Sequence, residues 1–333
     1  MMNSLNKPAL YLKLIWNHIV FWSFPTPEED YYLRLGTIYF YLEKHRKAIA
    51  LLEKSEKAHN HQDAAYSKYN CFYLGYCYLN LGNFGKTIEN FERYLRFEKN
   101  PELLHYLSWL YMLVNRPLDA LETCLRGAKI EPASSAWHFE SARILMELNR
   151  NEEALEHIKL AETNAKDENE RNLIQAIKHK FEGQTDKALN ILRDIILRNS
   201  PKLDPPQTAD LYVLMSRYQK EMNDSAGVIN TLKKACENNP TDIWLTNELA
   251  IEYADREIKL DEALAMMEKA LKYQPENAVF IDTKGWILFK MGRKEEAKRE
   301  IEQSLSLNPD CNDTKEHYKQ INADITPASR GTR

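Results

Sequence analysis

Along most of this chain, apolar residues recur three, four and seven positions apart in segments of about a dozen residues, the spacing of amphipathic helices. Short polar turns separate the segments. The stretch YNCFYLGYCYLNLG (69–82) shows the pattern and complicates it. Cys71, Leu74, Tyr78 and Leu81 fall at i, i+3, i+7 and i+10, one face of a helix turning about 100° per residue. Tyr69, Phe72, Tyr73 and Tyr76 gather on the opposite face. No run of Val, Ile or Thr favours a strand there. A surface helix needs one apolar stripe, so the second, aromatic stripe requires its own explanation.

The same frame returns along the chain. Each copy has two apolar periodic segments around a turn, and a small residue opens the second segment. That residue is Ala48, Thr87, Ala120, Ala154, Ala188, Val228, Ala263 and Ala297 in turn. Successive copies stand 39, 33, 34, 34, 40, 35 and 34 residues apart. Gly or Ala at facing positions lets two helix backbones approach closely. Each pair then buries its stripe only against the next pair, so several must stack.

In these residues the chain resembles the tetratricopeptide repeat (TPR) family, whose period is about 34 residues. Unit two carries the resemblance in Cys71, Leu74, Gly75, Tyr78, Thr87 and Phe91, and unit three in Leu104, Leu107, Ser108, Tyr111, Ala120 and Pro132. Unit seven has Leu249, Ala250, Tyr253, Ala263, Ala270 and Pro275, with one residue inserted in its turn; unit eight has Gly285, Ala297 and Pro309. Units five and six depart from the pattern: Asn172 and Gln175 replace bulky residues, and Val228 replaces the Ala. The resemblance covers roughly residues 30–310. It implies an all-α fold, a right-handed α-solenoid of about eight TPR-like helix-turn-helix repeats.

Two steps are longer than the period. The 39-residue step passes through HNHQDAAYSKYN, where extra helical turns accommodate it. The 40-residue step passes through RNSPKLDPPQTAD, whose three prolines cannot continue a helix. They predict a joint near 199–208 that few stacking contacts cross, with repeats one to five at 30–200 and six to eight at 207–310. Residues 1–29 form an N-terminal apolar segment or capping helix, and TPEED (26–30) is a helix start with Thr26 as cap, Pro27 in the first turn and Glu29 completing a capping box. Residues 311–324 read as a polar capping helix, and 325–333 as a disordered tail.

In the family, first helices line the concave face, so the resemblance implies that groove-facing residues lie opposite the packing stripe. In the first five units those slots hold Leu33 and Phe40; Tyr69, Phe72 and Tyr76; His105, Trp109 and Met112; Phe139; Leu173 and Ile177. In units six to eight they turn more polar: Val213, Arg217 and Lys220; Asn247 and Ile251; Asp282, Trp286 and Phe289. Such aromatics either fill space between adjacent first helices or form a lining that a partner covers. A lining of this kind fits an apolar peptide or amphipathic helix read through side-chain anchors. Family members that grip a C-terminal carboxylate use Lys and Asn at these slots. Leu33 and Thr37 stand there in unit one and do not support that activity.

Composition narrows the function further. The net charge of −4 comes from interspersed Lys, Arg, Asp and Glu, which does not suit nucleic acid as a partner. Five cysteines with no CxxC spacing point to a reducing compartment and a cytoplasmic location. No apolar run reaches the ~20 residues of a membrane span. The nearest is ALYLKLIWNHIVFW (9–22), interrupted by Lys13, Asn17 and His18. It reads as a helix capping the solenoid, as an occupant of the groove in cis, or as a peripheral membrane anchor through Tyr11, Trp16 and Trp22. NLGNFGKT (80–87) nearly matches a phosphate-binding loop, but Asn80 holds its first position and no strand precedes it. His59 and His61 have no partners that would complete a metal site. No catalytic motif, cofactor or metal is therefore expected. The sequence reads as a non-catalytic protein-interaction scaffold or assembly factor; the alternatives are a membrane-associated adaptor anchored by 9–22 and a regulatory subunit of an enzyme complex.

Overall fold

A computed structural model describes residues 28–58, 64–199 and 205–325. These residues form seventeen α-helices and no strand. They divide into two compact units, the first ending at Arg116 and the second beginning at Pro117. In the first unit, α1 (Glu28–Tyr41) pairs with α2 (His45–Ala58), α3 (Ala64–Asn80) pairs with α4 (Phe84–Leu95), and α5 (Pro101–Leu113) follows. The second unit opens with α6 (Pro117–Ile130). Five hairpins follow: α7 (Ser135–Glu147) with α8 (Asn151–Asn164), α9 (Glu168–Phe181) with α10 (Thr185–Asn199), α11 (Pro205–Glu221) with α12 (Ser225–Asn238), α13 (Ile243–Asp255) with α14 (Leu260–Tyr273), and α15 (Ala278–Lys290) with α16 (Lys294–Leu307). The last helix, α17 (Asn312–Ile325), packs on α16.

The turn chemistry repeats with the period. Glu43, Gly82, Asn115, Asn149, Gly183, Asn223, Glu257 and Gly292 all have positive φ, between 53° and 78°. The residue after each donates its N–H to a carbonyl five residues back, as in Asn83→Tyr78, Arg150→Leu145 and Arg293→Leu288. This closes the first helix of each unit with a left-handed residue that satisfies its last carbonyls. The inserted residue of unit seven is absorbed by a second left-handed residue, Lys259. Side-chain caps start the helices that follow loops. Asn100 accepts from Leu103 N, Asp167 from Glu170 N, Asp242 from Trp244 N and Leu245 N, and Asn277 from Val279 N and Phe280 N. Each cap contributes about 1 kcal/mol by filling an orphan donor.

All eight small marker residues, Ala48 through Ala297, are buried to 1% exposure or less. Glycines elsewhere in the repeats are equally constrained, Gly75 on a first helix and Gly127 on a second. A Cβ on Gly75 would lie 2.3 Å from the Phe91 ring, and one on Gly127 would lie 2.4 Å from the Trp137 indole. The close approach inferred from sequence is therefore physical.

The proline-rich joint expected near 199–208 falls between α10 and α11. Residues 200–204 lie outside the described residues, but the helices on either side share one buried cluster. Leu192, Ile195 and Ile196 of α10 join Leu211, Tyr212 and Met215 of α11 in it. Buried contacts therefore cross the proline-rich stretch, but fewer than join α2 to α3 or α14 to α15. In α17, Ile321 reaches the core of the last hairpin beside Leu288, Ala297 and Ile301. The expectations for 1–27, including 9–22 and the Thr26 cap, for His59 and His61, and for most of the tail lie outside the described residues.

Candidate partner-binding site

The two stripes of α3 separate as their spacing predicts. Cys71, Leu74, Tyr78 and Leu81 are all below 9% exposure. On the other face, Tyr69 is 50% exposed, while Phe72, Tyr73 and Tyr76 are half-buried. Most of this second stripe is engaged in ring packing. Phe72 lies 4.9 Å from Tyr76 and 5.4 Å from Tyr94 of α4. Tyr76 lies 5.1 Å from Phe91 of α4, and Tyr73 lies 5.3 Å from Phe40 of α1. The network continues through Tyr106 to Trp109 on α5, with ring centroids 5.3 Å apart. Trp109 is 36% exposed, and His105 and Met112 beside it are half-buried.

The slot residues therefore differ in depth. Tyr69 and Trp109 present free surface; Leu33, Phe72, Tyr76, His105, Met112 and Leu173 are half-buried. Phe40, Phe139 and Ile177 are 8%, 9% and 1% exposed and sit inside side-chain clusters, so they form floor rather than contact surface. Tyr106, next to the His105 slot, is a ring the slot spacing passed over. The near phosphate-binding loop is an interhelical turn in which Asn83 Oδ1 accepts from Lys86 N, an ordinary helix cap.

In the second unit the first-helix face is charged. Arg143 of α7 is held by Glu140 at 2.7 Å and by Glu147 at 3.3 Å. Arg217 of α11 and Glu248 of α13 expose much of their side chains. Yet surrounding protein mass disfavours the charged form of both. Desolvation, then repulsion from Arg143, lowers the Arg217 pKa, and desolvation raises that of Glu248. Both side chains touch water but are flanked by protein, in a recess of the first-helix face. Under it, Tyr218 is 4% exposed and its hydroxyl has no hydrogen-bond partner among the described residues. Lys180 stands over the Tyr218 ring at 5.6 Å and pairs with Glu221. Arg217 was among the sequence slots. Arg143 was not, although it lies four residues after Phe139 and so on the same face.

Comparison with known proteins bears on the class. A tetratricopeptide-repeat family model matches residues 29–58 and 282–311, the first and last hairpins. A TPR repeat-containing protein of Pseudomonas aeruginosa is 29% identical over 105 residues, 32% of this chain and 18% of that protein. Protein arginine N-methyltransferase 9 of Mus musculus is 33% identical over 63 residues, 19% of this chain and 7% of its own. The match thus spans less than a fifth of either relative. The crystal structure of yeast Tom70 aligns with a TM-score of 0.55 at 13% identity, over 91% of this chain and 65% of that one; at that identity the likeness shows the fold. The chain is a tetratricopeptide-repeat protein, an all-α solenoid of TPR-like repeats. Its fold is that of a protein-interaction scaffold.

Proposed function

We propose that this chain is a non-catalytic scaffold or assembly factor that takes an apolar peptide or amphipathic helix on the aromatic first-helix face of its first unit. The observation that carries the reading is the exposure of Tyr69 and Trp109, 50% and 36%, at the rims of a packed aromatic network. Half-buried Phe72, Tyr76, His105 and Met112 supply a rigid floor, and the two exposed rings act as anchors. Tyr and Trp suit that role, because they bury large area at small entropic cost.

Affinity purification with mass spectrometry, comparing wild type with a Tyr69→Ala/Trp109→Ala double variant, tests this. Loss of a truncated aromatic anchor typically costs about 2–4 kcal/mol in binding. The double variant should therefore lose its principal captured proteins while keeping a wild-type circular dichroism spectrum. Capture of the same proteins at the same yield by both chains would overturn the assignment.

A further inference from the structure

We propose that His138 and His157 form a two-imidazole site for a divalent transition-metal ion, of the zinc, nickel or copper class, that clamps α7 to α8. The two helices are one hairpin, joined through the left-handed Asn149 turn. Across it, the two Nδ1 atoms face each other at 3.1 Å, with ring centroids 5.2 Å apart and planes inclined by 45°. Both side chains are half-buried, so the pair is fixed by packing and still reachable from solvent.

The spacing fits a shared ligand. Nitrogen–metal bonds of about 2.05 Å to both Nδ1 atoms enclose an angle of about 98°, between square-planar and tetrahedral values. Imidazole is the neutral ligand this class of cation prefers. Burial lowers the pKa of both rings, and a charge on His157 is further opposed by His138. Without metal, one Nδ1–H donates to the lone pair of the other. With metal, the donating ring takes its Nε2–H tautomer through exchange with water, and both Nδ1 lone pairs point at the ion. No net proton is released.

Glu153 and Glu156 place negative potential at His157, which favours a cation. Glu153 is itself held by Arg150 at 2.6 Å. Among the described residues no third His, Cys, Asp or Glu completes a ligand set, so water fills the remaining positions and binding is of the readily reversible kind.

The test uses the full chain at pH 7.5 with nickel as the probe. The thermal transition should rise with Ni²⁺, return to its starting value with EDTA, and stay unchanged with Mg²⁺, which prefers oxygen ligands. His138→Gln and His157→Gln should each lose the rise. A rise that persists undiminished in both variants would assign the metal elsewhere, to His59 and His61 for example, and overturn the proposal; so would no rise in wild type. If the variants fold poorly, diethylpyrocarbonate labelling of wild type decides. Ni²⁺ should slow modification of both His138 and His157, and unchanged labelling of the two rejects the site.

Discussion

Tyr69→Ala and Phe72→Ala remove one ring each from the same stripe of α3, and the structure assigns them different consequences. The Phe72 ring has three aromatic neighbours, Tyr76 at 4.9 Å, Tyr94 at 5.4 Å and Tyr73 at 5.5 Å. A fully buried Phe→Ala change costs about 3–5 kcal/mol. Phe72 is half-buried, but it forfeits ring pairs contributing about 0.5–1.5 kcal/mol each beyond area. The expected loss is about 2–3 kcal/mol, within the range of such losses. Tyr69 is half exposed, with the Lys68 ammonium over its ring at 5.8 Å, and its truncation should stay within about 0.5–1 kcal/mol. Both changes raise helix propensity alike, so the difference isolates packing. Native-state hydrogen exchange resolved by peptide reads the loss helix by helix. In Phe72→Ala the slow amides of α3 and α4 should exchange roughly thirtyfold faster, the factor for about 2 kcal/mol. In Tyr69→Ala they should barely change. If Phe72→Ala is as mild as Tyr69→Ala, the stripe is not packed, and the division into floor and anchors fails.

Gly127→Ala places a methyl against Trp137, which is fully buried. It should cost about 1–3 kcal/mol by overpacking, read by urea unfolding followed through tryptophan fluorescence. Ile321→Ala should cost about 2–4 kcal/mol locally; exchange should quicken in α15, α16 and α17, with α7 and α8 unaffected, because Ile321 belongs to the cluster of the last hairpin. His45 has its pKa lowered to about 4 by burial, against 6.5 when free. Between these values the unfolded chain binds a proton that the folded chain refuses, so stability is complete above pH 6.5 and falls as pH drops towards 4. The loss reaches up to about 3 kcal/mol. Exchange of the first unit, measured across that window, should show the slope in wild type and a flatter one in His45→Met.

The repeat was legible because its physical requirements fall on residue types that sequence displays. Close backbone approach demands a small residue at one position in each second helix, and the eight markers gave the period and the register of every hairpin. The turns were legible where the left-handed position is Gly82, Gly183 or Gly292. They were less so at Glu43 and Glu257, whose side chains only tolerate that conformation and do not announce it. Proline vetoes a helix locally, but the continuity of a stack is decided by side chains on either side, here Ile195, Ile196, Leu211 and Met215.

Depth is what periodicity could not supply. A 100° step fixes the direction in which a side chain leaves its helix, and the slots were read from direction alone. How far a slot lies from water depends on the size of what stands opposite, on a helix distant in sequence. Phe40 meets Tyr73 and Tyr76 and is covered. Tyr69, one turn before Tyr73 on the same stripe, stands half exposed. Phe139 and Ile177 share one cluster across α7 and α9, whereas Arg217, in an equivalent slot of α11, remains exposed. The second stripe thus has two jobs divided by position along the helix. Its middle rings lock α3 to its neighbours, and its rim leaves Tyr69 open to water, the surface proposed above for a partner. If the proposed anchors bind, they do so from a rigid base, so binding would not have to order them first and would keep the affinity that ordering costs.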